Sequence, residues 1–183
     1  MAATRAKGQQ FASFRDNRVF PAYGRLPEEH DLDPDYFTDD AAYKKHWAFL
    51  SEIVEVERLF RLVLNVQDKA GNLVRVAFYT DGRGLEIDSR LTKPGHTVLN
   101  LYGVQHDFFN GSVGIREEII NSVKIIPMSL DDLLRLSDRD CQTVGWTENG
   151  HKKDCRIIVD KDVQGLLKTD WSHFDDFIQL PLK

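Results

Sequence analysis

The two-residue period of apolar side chains over residues 60–78 constrains this chain more than any other feature of its sequence. The alternating apolar positions are Phe60, Leu62, Leu64 and Val66, followed by Val74, Val76 and Phe78. Because successive side chains of a strand point to opposite faces, this period predicts two half-buried strands. Residues 68–72 separate them and include Gly71, which supplies the positive φ that a tight turn needs. The region therefore predicts a β-hairpin.

Three further strands are predicted downstream, at residues 97–104, 112–117 and 122–127. The dipeptide Pro94-Gly95 precedes the first of them and Asn110-Gly111 precedes the second, and both dipeptides favour turns. Five short strands with such turn signals favour a small antiparallel barrel or half-open sheet, of which the five-stranded OB-like barrel is one form. The predicted fold class is α+β, with an OB-like antiparallel sheet flanked by helices.

Helices are predicted on both sides of these strands. The first begins after Thr38, a good N-cap residue, with Asp39 and Asp40 in the first turn, where the helix dipole favours carboxylates. Its apolar stripe comprises Tyr43, Trp47, Leu50 and Val54. Ser129 precedes a short helix over residues 130–136. A last helical stripe comprises Val163, Leu166, Leu167, Trp171 and Phe174.

These elements divide the chain into three regions. Residues 1–37 are predicted to be a flexible N-terminal tail and linker, because the tail is basic without an apolar run and three prolines interrupt the linker. A mitochondrial presequence would have a similar composition and is the alternative for the first twenty residues. Residues 38–136 form the predicted helix and β domain, and residues 137–183 form the third region.

Charge and cysteine content limit the partners and the compartment. The formal net charge of −5 argues against a surface devoted to phosphate backbones, since such binding depends on Lys and Arg, so nucleic acid is not expected as a partner. No apolar run approaches the length of a membrane-spanning helix. Two cysteines do not form a disulfide framework. We therefore expect an intracellular protein, nuclear or cytoplasmic, without a membrane partner.

The polar stretch over residues 141–155 contains both cysteines and one histidine. If its last five residues are helical, His151 and Cys155 are four residues apart and share one face. Cysteine sulfur and histidine nitrogen are the donors of tetrahedral zinc sites, and a metal would give this polar segment a centre to fold around. Cys141, His151 and Cys155 are therefore the candidate metal ligands.

The same stretch resembles the closing half of a MYND-type zinc finger. Cys141, Gln142, Trp146, His151 and Cys155 match that ending in order and spacing, in the form seen in fungal members. The strand-rich region before it is similar to the N-terminal β-rich domain of such proteins. The resemblance implies a partial MYND-type segment and a C-terminal helix over residues 137–183, with zinc as the cofactor.

The resemblance also implies an incomplete ligand set. The opening half of the finger is missing, and Ser137 stands where a further cysteine of the family would be. Cys141 would belong to one metal centre and His151 with Cys155 to another, whereas a structural zinc needs four ligands. The other potential donors are His30, His46, His96, His106 and nearby aspartates.

In members of that family that recruit partners, the positions of Gln142 and Trp146 line a groove for proline-rich peptides. A preformed polyproline conformation loses little entropy when it docks on an indole ring. The predicted function is a non-enzymatic protein–protein interaction module with incomplete zinc coordination. Packing of Trp146 against the rest of the protein is the competing interpretation.

The alternative function is an OB-like protein that binds single-stranded nucleic acid. Its stacking surfaces would be Phe60, Phe78, Tyr79 and Tyr102, beside Arg61 and Arg75. Ordinary core packing of these aromatic residues is the simpler interpretation. No nucleophile motif, phosphate-binding loop or dinucleotide fingerprint is present, so we do not expect an enzyme.

Overall fold

The computed structural model describes residues 12–136 and 160–182. Its strands are β1 (Ala48–Glu57), β2 (Val63–Asp68), β3 (Leu73–Phe78), β4 (Thr97–Leu101), β5 (His106–Asp107), β6 (Val113–Glu117) and β7 (Val123–Ile126). Two α-helices follow, α1 (Leu130–Leu136) and α2 (Lys161–Lys168). Short 3₁₀ turns lie at Tyr23–Arg25 and Ile120–Ser122. Within these two ranges, no helix is long and apolar enough to cross a membrane.

The seven described strands form one sheet in the order β5-β6-β3-β2-β1-β4-β7. The central strand β1 pairs with β2 along residues 51–57 and with β4 along residues 48–52. Its register shifts between Ile53 and Glu55, which marks a bulge that bends the strand. The strand pairs are antiparallel except β3 with β6, which run parallel. The sheet is therefore mixed, whereas the sequence predicts an antiparallel one.

The sheet curls into an OB-like barrel. β1, β2 and β3 form a meander, β4 returns to β1, and β6 lies beside β3. Asn100 on β4 donates a side-chain hydrogen bond to Glu117 on β6, although three strands separate β4 from β6 in the sheet order. Such a contact requires the sheet to close on itself. The predicted fold class, α+β with a small OB-like β domain, is confirmed.

A core cluster lies on each side of β1 and β4. The barrel interior contains Trp47, Phe49, Ile53, Leu64, Val76, Phe78, Val98 and Ile115. The second cluster joins the sheet to α1 and α2 and contains Leu50, Leu99, Leu101, Leu133, Val163, Leu166 and Trp171. β4 and the first half of β1, residues 48–53, thus bury both of their faces.

The predicted helix after Thr38 is wrong, because residues 48–57 form β1. A strand that is buried on both faces loses the apolar–polar alternation and reads as a continuous apolar run. Trp47 and Leu50 therefore matched a helical stripe although they pack in different core clusters. Val54, at the bulge, is half exposed.

Residues 12–37 do not form the flexible linker that the sequence predicts. Phe14 and Phe20 are buried in the cluster that contains α2, and Leu26 and Tyr36 are buried against the barrel interior. Prolines interrupt regular secondary structure here without preventing the apolar side chains from packing. The segment is an ordered covering layer of the barrel.

The remaining predicted elements lie close to observed ones. The five predicted strands correspond to β2, β3, β4, β6 and β7, and the helix over residues 130–136 is confirmed as α1. Asp160 caps α2 by accepting hydrogen bonds from the N–H groups of Asp162 and Val163. α2 ends at Lys168, so Trp171 and Phe174 lie beyond the helix on whose stripe they were predicted.

Candidate nucleic-acid interface

A cleft of about 420 Å³ lies over the outer face of β2 and β3. One wall comes from the loop of residues 58–62 between β1 and β2. The other comes from residues 108–110, in the connection between β4 and β6 that also contains β5. The lining residues include Glu57, Leu59, Phe60, Arg61, Val63, Arg75, Ala77, Tyr79, Phe108 and Phe109. In OB folds, this face and these two connecting loops bind oligonucleotides and oligosaccharides.

Strand alternation brings three arginines to this side of the barrel. Arg61, Arg75 and Arg116 each have a sequence neighbour buried in the barrel interior, so their own side chains face outward. Tyr79 follows β3 directly, and its N–H donates to the carbonyl of Glu117 at 2.6 Å. The parallel pairing of β3 with β6 therefore places Tyr79 beside Arg116.

The Tyr79 ring is the centre of this group. The guanidinium carbon of Arg61 lies 3.7 Å from the ring centroid, and that of Arg116 lies 4.6 Å from it. Phe108 stacks on the same ring at a centroid distance of 6.4 Å and an interplanar angle of 20°. Guanidinium groups over aromatic rings make favourable cation–π contacts. The floor of the cleft is thus both aromatic and positively charged.

The loop that carries Phe108 is held by contacts with the N-terminal segment. His106 packs edge-on against Phe108 at 4.8 Å and forms an ion pair with Glu29 when protonated. The side-chain amide of Gln105 donates to the carbonyl of Leu26 at 2.7 Å. These contacts fix one wall of the cleft before any ligand arrives.

The tips of the two loops expose large apolar side chains. Phe60 is 75% exposed, Leu59 is 83% exposed and Phe109 is fully exposed. Among the described residues, neither phenylalanine stacks on another ring. Contiguous apolar groups of this size on a surface are characteristic of binding sites.

Carboxylates lie against two of the three arginines. Arg75 pairs with Glu57 at 3.2 Å, and Arg116 pairs with Glu118 at 2.5 Å. The side-chain amide of Asn65 also donates to Glu57, at 3.1 Å. All four charged side chains are at least one-third exposed, so each pair can exchange with a ligand or with solvent.

A second aromatic group, the anchor cluster, shares no residue with the cleft and holds the C-terminal segment on the barrel. It consists of Tyr43, Trp47, Tyr102, Phe174 and Phe177, whose rings contact one another. The Tyr102 hydroxyl accepts from the N–H of Ile178 at 3.0 Å and contacts His46 Nδ1 at 2.7 Å. Burial raises the pKa of Tyr102 to about 12, so its hydroxyl stays protonated.

His46 completes this network as a neutral imidazole. Its Nδ1 is placed to accept from Tyr102, and its Nε2 lies 3.2 Å from a carboxylate oxygen of Asp175. Burial lowers the pKa of His46, although Asp175 acts in the opposite direction. The network binds the C-terminal segment and contributes no group to the cleft.

The structure separates the residues of the predicted nucleic-acid surface. Phe60, Tyr79, Arg61 and Arg75 come together in the cleft. Phe78 is fully buried in the barrel interior, and Tyr102 belongs to the anchor cluster. The sequence reasoning missed Phe108, Phe109 and Arg116. Two adjacent phenylalanines just before the Asn110-Gly111 turn were the available signal, since a turn leaves such side chains exposed.

The predicted metal-binding character is corrected by the structure. Within residues 12–136 and 160–182, no group of three or more His, Cys, Asp or Glu side chains could hold a metal ion. Three of the four histidines considered as extra ligands are otherwise engaged: His46 with Tyr102, His96 with the carbonyl of Leu91, and His106 with Glu29. The described chain therefore provides no zinc site and no sign of a zinc finger.

The residues that carry the MYND-type resemblance lie outside the described ranges. They are Cys141, Gln142, Trp146, His151 and Cys155. Their roles as ligands and as a proline-peptide groove stay predictions from sequence.

No protein-family model and no curated protein matches this chain. Solved structures to which it is similar include a replication protein A heterotrimer bound to ssDNA, with 14% identity, 70% of this chain and 95% of that chain covered, and a TM-score of 0.38. Another is the Stn1-Ten1 complex of S. pombe, with 16% identity, 70% and 86% coverage, and a TM-score of 0.32.

The expectation that nucleic acid is not a partner is wrong, because its premise was the net charge of the whole chain. The cleft is lined by Arg61 and Arg75 together with exposed aromatic rings, and Arg116 lies beside it over the Tyr79 ring. Net charge is a property of the whole chain, and it does not report the local charge of one face.

Proposed function

We propose that this protein binds single-stranded nucleic acid, without catalysing a reaction, in the cleft between residues 58–62 and 108–110. The observation that carries the proposal is that Arg61 and Arg75 line the cleft together with exposed aromatic rings, while Arg116 lies over the Tyr79 ring of the same cleft. Positively charged grooves with aromatic side chains are the physical requirement for binding single strands, because the arginines contact phosphates and the rings stack on bases.

The exposed loop tips favour single strands over duplexes. Phe60 and Phe109 are available on the two sides of the cleft, and a ring can stack only on a base whose face is free. In a duplex the base faces are covered by neighbouring bases. A duplex would therefore gain the phosphate contacts and lose the stacking contacts.

The arginines favour nucleic acid over an uncharged peptide as the occupant. Arg61 and Arg116 hold positive charge against the Tyr79 ring, which lines the same cleft as the apolar tips. Alternating phosphates and bases match this combination of cations and rings, whereas a purely apolar peptide would have to desolvate the guanidinium groups without compensation.

Fluorescence anisotropy with a labelled strand of about 16 nucleotides, the upper end of site sizes for one OB fold, tests the proposal. The wild-type protein should bind the strand more tightly than the corresponding duplex. The double variant Phe60→Ala/Phe109→Ala should lose about tenfold or more in affinity, since stacking contributes about 1–3 kcal/mol per base.

The matched control is Leu32→Ala, which removes an exposed apolar side chain outside the cleft. This variant should bind like the wild type. Equal binding of single strand and duplex, or an unchanged affinity of the double variant, would contradict the proposal. Thermal melts of each variant establish that the fold is intact.

A further inference from the structure

Of the two arginines that line the cleft and the third, Arg116, that lies over its Tyr79 ring, two already carry a carboxylate partner within the protein. Glu57 contacts Arg75 at 3.2 Å, and Glu118 contacts Arg116 at 2.5 Å. Arg61 lies on Tyr79 and forms no ion pair among the described residues. The net charge of these five groups is therefore +1, although three arginines are present.

The position of Glu57 is set by further contacts. Asn65 on β2 donates its side-chain amide to Glu57 at 3.1 Å and to Glu55 at 3.0 Å. Asn65 on β2 is paired in register with Glu55 on β1 and with Arg75 on β3. Glu57 lies two residues further along β1, so its contacts with Asn65 and Arg75 run diagonally across the sheet. The carboxylate is thus held where a phosphate bound to Arg75 would have to lie.

We propose that Glu57 and Glu118 are built-in competitors of phosphate that make the cleft select ligands by their exposed bases and reject other polyanions. This inference rests on the proposed function, because it specifies which ligands the same cleft accepts. A phosphate that reaches Arg75 or Arg116 replaces a carboxylate that stays nearby and still repels it. Stacking on Phe60 and Phe109 meets no such competitor.

The consequence is a weak dependence of affinity on salt. A protein that neutralises Z phosphates of a single strand releases condensed counterions, and the slope of log K against log salt is about −0.7Z. Three unopposed arginines would give a slope of about −2, whereas a net charge of one gives about −0.7. Duplexes and sulfated polysaccharides, which offer charge without free bases, gain little from such a surface.

The test compares salt slopes for a labelled single strand bound to the wild type and to Glu57→Gln, Glu118→Gln and the double variant. Glutamine removes the charge and keeps an oxygen that can accept from Asn65. The wild type should show a slope near −0.7 and the double variant a slope near −2. At low salt each single variant should bind about two- to fivefold more tightly.

Asp131→Asn is the matched control, because it removes one negative charge from an exposed Asp131–Arg135 ion pair on α1. Its salt slope should equal that of the wild type. Heparin should displace the strand from the double variant at a lower concentration than from the wild type. If Glu57 and Glu118 compete with phosphate, both the unchanged slope of Asp131→Asn and the easier displacement by heparin must be observed.

Equal slopes for the wild type and the double variant, with binding intact, would overturn the inference and leave the proposed function standing. Failure of the wild type to bind any single strand at low salt would instead overturn the proposed function and the inference together. A slope change of equal size in Asp131→Asn would show that only net charge matters, and it too would overturn the inference.

Discussion

The two aromatic clusters of this protein use similar residues for different purposes. In the anchor cluster, Tyr43, Trp47 and Tyr102 contact other rings at centroid distances of 4.9–6.3 Å. Hydrogen bonds satisfy the indole N–H of Trp47 and the hydroxyl of Tyr102. In the cleft, the described ring contact between aromatic side chains is Tyr79 with Phe108, extended by His106. The other neighbours of Tyr79 are guanidinium groups.

The difference shows which physical features separate a binding surface from a core. A core ring is surrounded by other apolar groups, so its removal leaves a cavity. A ring at the cleft has cations on one side and solvent on the other, so its removal changes what the surface can hold. The variants below should therefore affect stability in one cluster and binding in the other.

Trp47→Ala is expected to have the largest effect on stability. Trp47 is fully buried, and its indole N–H donates to the carbonyl of Gly103 at 2.9 Å. Loss of such a side chain costs about 3–5 kcal/mol in the free energy of unfolding. Urea denaturation measures the change. Phe60→Ala should change the free energy of unfolding by less than about 0.5 kcal/mol, and similar costs for the two variants would contradict the distinction.

A matched pair of hydroxyl deletions gives a smaller contrast. Tyr102→Phe removes the hydroxyl that serves both His46 and the N–H of Ile178, so it should cost about 1–3 kcal/mol in the free energy of unfolding. Tyr79→Phe should cost almost nothing, because the Tyr79 hydroxyl has no hydrogen-bond partner among the described residues. Denaturation curves of both variants test this, and a larger cost for Tyr79→Phe would contradict it.

The anchor cluster should also make stability depend on pH. Burial lowers the pKa of His46 below its unfolded value of about 6.5. As the pH falls through that value, the unfolded chain binds more protons than the folded chain, so the free energy of unfolding decreases. Denaturation at about pH 7.5 and about pH 5.5 should show this loss in the wild type.

His46→Gln should flatten this dependence, because the titrating group is removed. His96→Gln is the control, since His96 lies outside the anchor cluster and bonds to the carbonyl of Leu91. If His46→Gln retains the full pH dependence of the wild type, another group is responsible. The cleft variants should follow the wild-type curve.

The sequence predicts the barrel better than it predicts the surface of the barrel. The strands β2 and β3 have one buried face, and their alternation is visible in residues 60–78. The first half of β1 is buried on both faces, so its apolar run imitates a helical stripe. The covering segment of residues 12–37 has no period at all, and its burial depends on the barrel that it covers.

The sequence predicts only those cleft residues whose position follows from the apolar–polar alternation of a strand. Arg61 and Arg75 follow directly from the pattern of β2 and β3. Arg116 joins them through the parallel pairing of β3 with β6, a contact between residues about forty positions apart that no local pattern encodes. Phe78 and Tyr79 are adjacent aromatics, and only the position of the strand end decides that Phe78 is core and Tyr79 is surface.

Arg61→Lys should have the smallest effect on the affinity for a single strand. It tests whether the planar guanidinium of Arg61 contributes to binding in the cleft. Lysine keeps the positive charge and loses the planar group that lies 3.7 Å from the Tyr79 centroid. Affinity for a single strand should fall about two- to threefold, in line with a cation–π contact at an exposed site, while the salt slope stays unchanged. Anisotropy titrations at several salt concentrations separate the two quantities. An unchanged affinity together with an unchanged slope would mean that Arg61 acts through charge alone, and that its planar contact with Tyr79 does not contribute to binding.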